Sequence, residues 1–168
     1  PISKNHVKIR TLMNTLKRVS VFGGREITKE IYDNTVLLGE KMGNEGYTVF
    51  CGGGKGVMEA ISKGVKMVDG LVIGILKGQD NREANDYLSI PISTGIGIAR
   101  NAVLAYNCDV ALAISGQYGT LSEIAYAFQL NKPVIGYATW DINPIIMAKS
   151  PDDVMSKLKR EFECLKSA

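Results

Sequence analysis

Between Val110 and Tyr137 the chain reads as strand, glycine-containing loop, helix and strand. Val110 to Ile114 is a continuous apolar run bounded by polar residues, the pattern of a strand buried on both faces. Ser115, Gly116, Gln117, Tyr118, Gly119 and Thr120 follow. Leu121, Ile124, Ala125 and Phe128 then recur at i, i+3, i+4 and i+7, one face of a helix. Pro133 stops that helix and opens the apolar run from Val134 to Tyr137. Such a loop brings unpartnered backbone N–H groups and a positive dipole end to the carboxyl edge of a sheet. Anions, and phosphates above all, bind there.

The same grammar recurs along the chain. A strand over 19–22 runs into Gly23-Gly24, and one over 47–51 runs into Gly52, Gly53, Gly54, Lys55 and Gly56. Spacing predicts a helix over 28–46 with Ile31, Thr35, Leu38 and Met42 on one side, a second over 57–68, and a strand over 71–76. Residues 77–87 form a polar irregular loop, and 88–93 a weak edge strand around Pro91. Thr94-Gly95 leads to a helix over 98–107. Ser150 as N-cap, Pro151 at N1 and Asp152-Asp153 in the first turn launch a terminal helix carrying Val154, Leu158 and Phe162. Strands alternating with helices predict a single α/β domain, a Rossmann-like doubly wound parallel sheet. With the 19–22, 47–51 and 110–114 strands central, the three glycine turns converge on one crevice.

Composition narrows the partners. The 168 residues are 45% hydrophobic and 22% charged, the balance of an ordinary globular domain. Lys4, Lys8, Arg10, Lys17 and Arg18 are five positive charges without an acid among them; taking those five from the net +3 leaves about −2 for the body. The chain therefore divides into a basic arm, 1–17, and a nucleotide-binding domain, 18–168, whose charge does not suit a nucleic-acid surface. Ile9, Leu12, Met13 and Leu16 sit at helical spacing, so the arm can form a short docked helix. Cys51, Cys108 and Cys164 are odd in number and unclustered, which suits reduced thiols in the cytoplasm rather than a disulfide frame or zinc site. No apolar run reaches membrane-spanning length, and no signal-peptide pattern is found.

Generic nucleotide motifs fail. Lys55 is followed by Gly56 rather than Ser or Thr, so the P-loop pattern breaks, and the dinucleotide fingerprint breaks at Glu59. Four glycines in five positions fit either a phosphate or sugar contact or a tight strand-to-helix turn. Glu123 also has two readings. Thr120 and Glu123 match a capping box, in which Glu123 bonds back to the cap N–H; the preceding glycines point instead to a ligand role. Arg100 near a helix start reads either as a solvated arginine or, since the dipole repels it there, as one that gains from a nearby anion. His6 is the only histidine, which disfavours Ser-His or Cys-His chemistry, and the glycine loops bring no acidic cluster for a metal.

Together, the stretch from Cys51 to Ala60, Thr94-Gly95 with Arg100-Asn101, and Gly116 to Glu123 resemble the LONELY GUY superfamily, whose members also carry the label "possible lysine decarboxylase". The resemblance spans roughly residues 18–137 and implies a Rossmann-like fold, a homodimer, and hydrolysis of nucleoside 5′-monophosphates to free base and ribose 5-phosphate. Gly116, Gly119, Thr120, Glu123 and Arg100 match its signature, Pro-Gly-Gly-x-Gly-Thr-x-x-Glu with an upstream Arg-Lys pair. Ser115, Gln117 and Asn101 depart from it, and no lysine is singled out for pyridoxal phosphate. The Arg-Asn form is similar to a sister branch that includes a molybdenum cofactor carrier protein, which binds a phosphorylated pterin without cleaving it.

Three functions follow as expectations. In a phosphoribohydrolase, Glu123 stabilises an oxocarbenium-like sugar, Arg100 positions the ligand, and Thr120 with the glycine loops holds the phosphate. Ligand contacts would come from Gly23, Gly24, Gly52, Gly53, Gly54, Gly56, Thr94, Asn101, Gly116, Gln117, Tyr118, Gly119 and Thr120. In a carrier, the same pocket holds a nucleotide or molybdopterin-like ligand without turnover. A single-stranded nucleic-acid binder is the third, disfavoured by the body's charge. None requires a resident cofactor or metal. Ala102, Val103 and Tyr106 offer an apolar helix surface for the homodimer.

Overall fold

The computed structural model describes residues 17–167, so the helical stripe expected at Ile9 to Leu16 lies outside the described residues. Seven parallel strands form one sheet in the order β4-β3-β2-β1-β5-β6-β7. They are β1 (Arg18–Gly23), β2 (Thr48–Cys51), β3 (Val72–Leu76), β4 (Ile90–Ser93), β5 (Val110–Ile114), β6 (Val134–Tyr137) and β7 (Ile146–Ala148). The helices are α1 (Lys29–Asn44), α2 (Val57–Met67), α3 (Arg100–Tyr106), α4 (Tyr118–Gln129) and α5 (Pro151–Lys166).

Strand alternation sorts the core into two layers. Val19 and Val21 of β1 join a cluster with Leu38 and Met42 of α1, Ile61 of α2 and Leu158 of α5. Phe22 points the other way, to Leu104 of α3 and Ile124 of α4. Complete burial of residues such as Leu104 and Ile124 contributes about 1.5–3 kcal/mol each. Ser20 is the polar exception on β1, and its hydroxyl donates to the Leu104 carbonyl at 2.7 Å. Helices on both faces make the sheet doubly wound, as the alternating pattern predicts.

Caps set the helix starts. Thr28 Oγ1 accepts from the Ile31 N–H at 3.3 Å, and Ser150 Oγ accepts from the Asp153 N–H at 3.2 Å with Pro151 at N1. The helix expected over 98–107 resolves into a 3₁₀ turn, Gly97–Ala99, followed by α3. Arg18, the first residue of β1, is paired: its Nη2 meets Asp109 Oδ1 at 2.6 Å, joining the starts of β1 and β5. Lys17 is also tied to the body, with its carbonyl accepting from the Thr48 N–H at 2.9 Å.

What positions the site is the reversal of strand order at β1. The chain winds outward from β1 through β2 and β3 to β4, then returns to place β5 on the other side of β1. The turns after β2, β1 and β5 therefore lie side by side at one sheet edge. A Cβ at Gly24 would stand 3.1 Å from the Gly116 Cα, so the β1 and β5 turns nearly touch.

One helix crossing fixes the layer beside this edge. A Cβ at Gly64 would stand 2.0 Å from the Val36 carbonyl oxygen, and one at Gly39 2.5 Å from that of Ile61. These neighbours are backbone and cannot turn aside. Gly64→Ala should therefore force α1 and α2 apart and cost about 1–3 kcal/mol. For a domain of this size that lowers the melting temperature by about 3–10 °C. An unchanged melting curve would show that the crossing yields freely.

Candidate functional site

The β5 turn makes a helix start that nothing caps. Ser115 (φ 50°) and Gly116 (φ 96°) both lie in the left-handed region, which only glycine adopts without strain. The Ser115 N–H donates to the Tyr137 carbonyl at 3.2 Å, and Thr139 Oγ1 donates to the Ser115 carbonyl at 2.7 Å, so β6 and the segment after it hold the strained residue. At Gly116 a Cβ would stand 2.0 Å from Thr120 Oγ1. The early turn lets α4 begin at Tyr118, with Gln117 as N-cap and no side-chain cap bond.

That start overturns the capping box. Thr120 occupies N3 rather than the cap, and Glu123 lies nearly one turn further in, where it cannot reach the cap N–H. Instead Glu123 is only 5% exposed. Its carboxylate Oε1 faces Arg100 Nη1 at 3.5 Å.

Arg100 is the first residue of α3. Its guanidinium lies on the Gly52 backbone, where a Cβ would come within 2.4 Å of both Nη1 and Nη2. Its Nε is buried without a hydrogen-bond partner. Burial lowers its pKa, opposed by the charge of Glu123, yet a guanidinium stays protonated in any protein setting. Glu123 responds differently: burial pushes its carboxyl up to about 8 and Arg100 only partly opposes this. Near neutral pH the pair is therefore mostly a neutral acid beside a buried cation. Asn101, also buried, donates from Nδ2 to Ser122 Oγ at 2.9 Å and ties α3 to the start of α4.

These groups face a cavity of about 590 Å³ at the β1–β5 crevice. Of the residues expected from the sequence, Gly23, Gly24, Arg100, Asn101, Gly116, Gln117, Gly119, Thr120 and Glu123 line it. Others do not. Gly52 forms the bed of Arg100. Gly53 and Gly54 give their carbonyls to Asn85 Nδ2 at 3.1 and 3.0 Å. A Cβ on Gly56 would stand 2.3 Å from the Arg25 carbonyl oxygen, and the Val57 N–H that opens α2 donates to the Gly24 carbonyl at 3.0 Å. This loop is thus filled by protein groups and shapes the cavity at one remove. Thr94 Oγ1 donates to the Leu76 carbonyl at 2.7 Å, joining β3 to the segment after β4. Tyr118 is largely exposed beside Trp140, whose Nε1 donates to the Gln117 carbonyl at 3.3 Å.

The wall also includes Arg25, Glu26, Met58, Lys77, Ile98 and Ser115, which the motif reading missed. Arg25 follows the Gly23-Gly24 turn and Lys77 is the first residue after β3, so a search of every strand end would have found both. Cys51 is fully buried and burial raises its thiol pKa, leaving it no nucleophilic role.

Comparison with known proteins assigns the chain. Residues 16–163 match the model of LDcluster4, the SLOG cluster4 family. The chain belongs to that family. An uncharacterized protein of Archaeoglobus fulgidus is 38% identical over 119 residues, 71% of this chain and 78% of that one. Among solved structures, the molybdenum cofactor binding protein of Rippkaea orientalis is similar, with 33% identity and a TM-score of 0.82 over 86% of this chain and 96% of that one. The molybdenum cofactor carrier protein of Chlamydomonas reinhardtii superposes with a TM-score of 0.81 at 27% identity, over 88% and 99% of the two chains.

In this SLOG cluster4 chain the burial of Glu123 makes a pH-dependent demand on stability. Its carboxyl is raised from 4.5 to about 8, so the folded state holds the proton more tightly than the unfolded chain. Stability from this group is complete below pH 4.5, declines as pH rises, and is lost by about pH 8. Glu123→Gln keeps the shape without the proton. Wild type and variant should melt alike near pH 4.5, and the variant should melt higher at pH 8 to 9. A variant that melts lower at every pH would show that Glu123 is held ionised.

Proposed function

We propose that the crevice binds a phosphorylated pterin-type ligand, of the molybdenum cofactor kind, and holds it without cleaving it. The observation that carries this reading is the buried Arg100 cation beside a mostly neutral Glu123 on the cavity wall. A buried positive charge with an unpartnered Nε attracts an anion. The uncapped start of α4 contributes further N–H donors beside it. A volume of about 590 Å³ suits a compact cofactor. The similarity to the Rippkaea orientalis and Chlamydomonas reinhardtii proteins supports the pterin class.

Residues of the chain supply binding and orientation. Gly116, Gly119 and Thr120 accept the phosphate at the α4 start, Arg100 neutralises charge deeper in the cavity, and Asn101 keeps the two helix starts in register. The phosphoribohydrolase reading draws on the Glu123 carboxyl in the wall. It requires that carboxyl to be ionised to stabilise an oxocarbenium-like sugar, and burial opposes this.

The test has two arms. Protein purified from a host that makes molybdopterin should carry a pterin, seen by fluorescence after oxidation, and should release no adenine from AMP by HPLC. Adenine release that Glu123→Gln abolishes would establish the hydrolase instead. The charge argument adds a pH signature. As pH rises through about 8, Glu123 ionises and offsets Arg100, so affinity for a phosphorylated ligand should fall. Glu123→Gln should flatten that fall, and an unchanged slope would remove Glu123 from the binding charge.

Pairing of two copies belongs to the same proposal. Of the expected surface, Tyr106 is 66% exposed while Ala102 and Val103 are half-buried, with Val103 packed on the core; Ile98 at the cavity wall is 84% exposed. Light scattering should give a dimer at micromolar concentration, and a strict monomer would exclude it.

A further inference from the structure

The loop between β3 and β4 carries its own anion to the mouth of the cavity. Glu83 stands between two cations: its Oε1 is 3.5 Å from Lys77 Nζ, and its Oε2 is 3.9 Å from Arg25 Nη2. Arg25 and Lys77 both line the cavity, one after β1 and the other after β3. They are brought together by the sheet order alone, across β2. Neither cation has another acidic partner within ion-pair distance among the described residues. Both pairs are long and partly exposed, the kind that forms and breaks readily.

Two residues further on, the loop is held more firmly. Asn85 Nδ2 donates to the carbonyls of Gly53 and Gly54, and the Asn85 N–H donates to the Gly53 carbonyl at 2.8 Å. The loop is also held where the Ser93 hydroxyl donates to Asn81 Oδ1 at 2.7 Å and the Gly95 N–H donates to the Gly78 carbonyl at 2.8 Å, so the Glu83 side chain is its exchangeable contact.

We propose that Arg25 and Lys77 form an anion subsite at the cavity mouth, occupied in the free protein by Glu83, which a second anionic group of the ligand displaces. The inference rests on the crevice reading and deepens it. The ligand class becomes one with anionic groups at two ends, one at the α4 start and the other at the Arg25–Lys77 rim. Glu83 is then a competitor built into the chain. It weakens binding and eases release. Glu26 is the other acid on this side of the cavity, and it makes no ion pair with either cation.

Fructose 1,6-bisphosphate, with a phosphate monoester at each end, is the probe, titrated by calorimetry at fixed ionic strength. Glu83→Gln removes the competing charge and keeps the side chain's size. It should bind the bisphosphate about two- to tenfold more tightly than wild type, the range expected when two exposed ion pairs no longer compete. Adding Lys77→Met to Glu83→Gln should cancel the gain. Affinity equal to or below wild type in Glu83→Gln would overturn the subsite, as would a gain that survives Lys77→Met. No measurable binding to either protein would overturn it as well.

Gly119→Asp separates this from the crevice reading. Nothing lies within 4 Å of a Cβ at Gly119, so a carboxylate can stand at the α4 start without disturbing the fold. If Gly119→Asp abolishes binding but Glu83→Gln does not strengthen it, the crevice stands and the rim subsite falls. If Glu83→Gln strengthens binding and Gly119→Asp leaves it intact, the rim stands and the crevice reading falls.

Discussion

A guanidinium lying on a bare stretch of backbone organises this site. Arg100 reaches the cavity wall because Gly52 leaves the space that a Cβ would take; one there would stand 2.4 Å from both Nη1 and Nη2. Removing a cation from water costs several kcal/mol even after relaxation. Glu123 offsets only part of this, since its nearest oxygen is 3.5 Å away and its own burial favours the neutral acid. The α3 start adds to the penalty, because a helix N-terminus repels positive charge. A cation held there against burial and dipole together leaves the cavity short of negative charge. The other features of the crevice elaborate on that deficit.

The glycine-rich segment after β2 changes meaning in this light. Gly52 makes room for Arg100, Gly53 and Gly54 offer carbonyls to Asn85, and Gly56 passes under the Arg25 carbonyl. From the sequence, glycines that clear space for a ligand and glycines that clear space for another side chain look the same. Both readings were open for this segment, and the turn reading describes its packing. The β5 turn differs, because its glycines face the cavity.

The architecture was legible for a different reason. Apolar runs ending in glycine mark strand ends, and one reversal of strand order is enough to gather them. The order itself follows from the rule that parallel crossovers share one hand. Ser150 caps its helix as its position suggests, while Thr28, read as the first helical residue, is the cap of α1. Three kinds of feature escaped. β7 spans three residues, too few for any alternation to register. The capping box at Thr120 and Glu123 matched in spacing, but Ser115 and Gly116 in left-handed conformations start α4 earlier. Backbone strain of that kind leaves no period to read. Arg25 and Lys77 were hidden for a third reason: they are neighbours only through sheet order, more than fifty positions apart in the chain.

Whether such a pocket binds or cleaves turns on where the ionisable charge resides. A carboxylate that stabilises a cationic sugar must carry its charge as that sugar forms. Here the desolvation that keeps Glu123 in place also favours its proton, and the permanent charge passes to Arg100. A cation that cannot lose its proton is a poor partner for an oxocarbenium ion and a good one for phosphate. Fixed positive charge at depth favours retention and orientation. At the rim, Arg25 and Lys77 are more exposed and already paired, so their contribution can be exchanged. Deep and permanent charge within, weak and contested charge at the mouth, is an arrangement that suits holding an anionic cargo and giving it up intact.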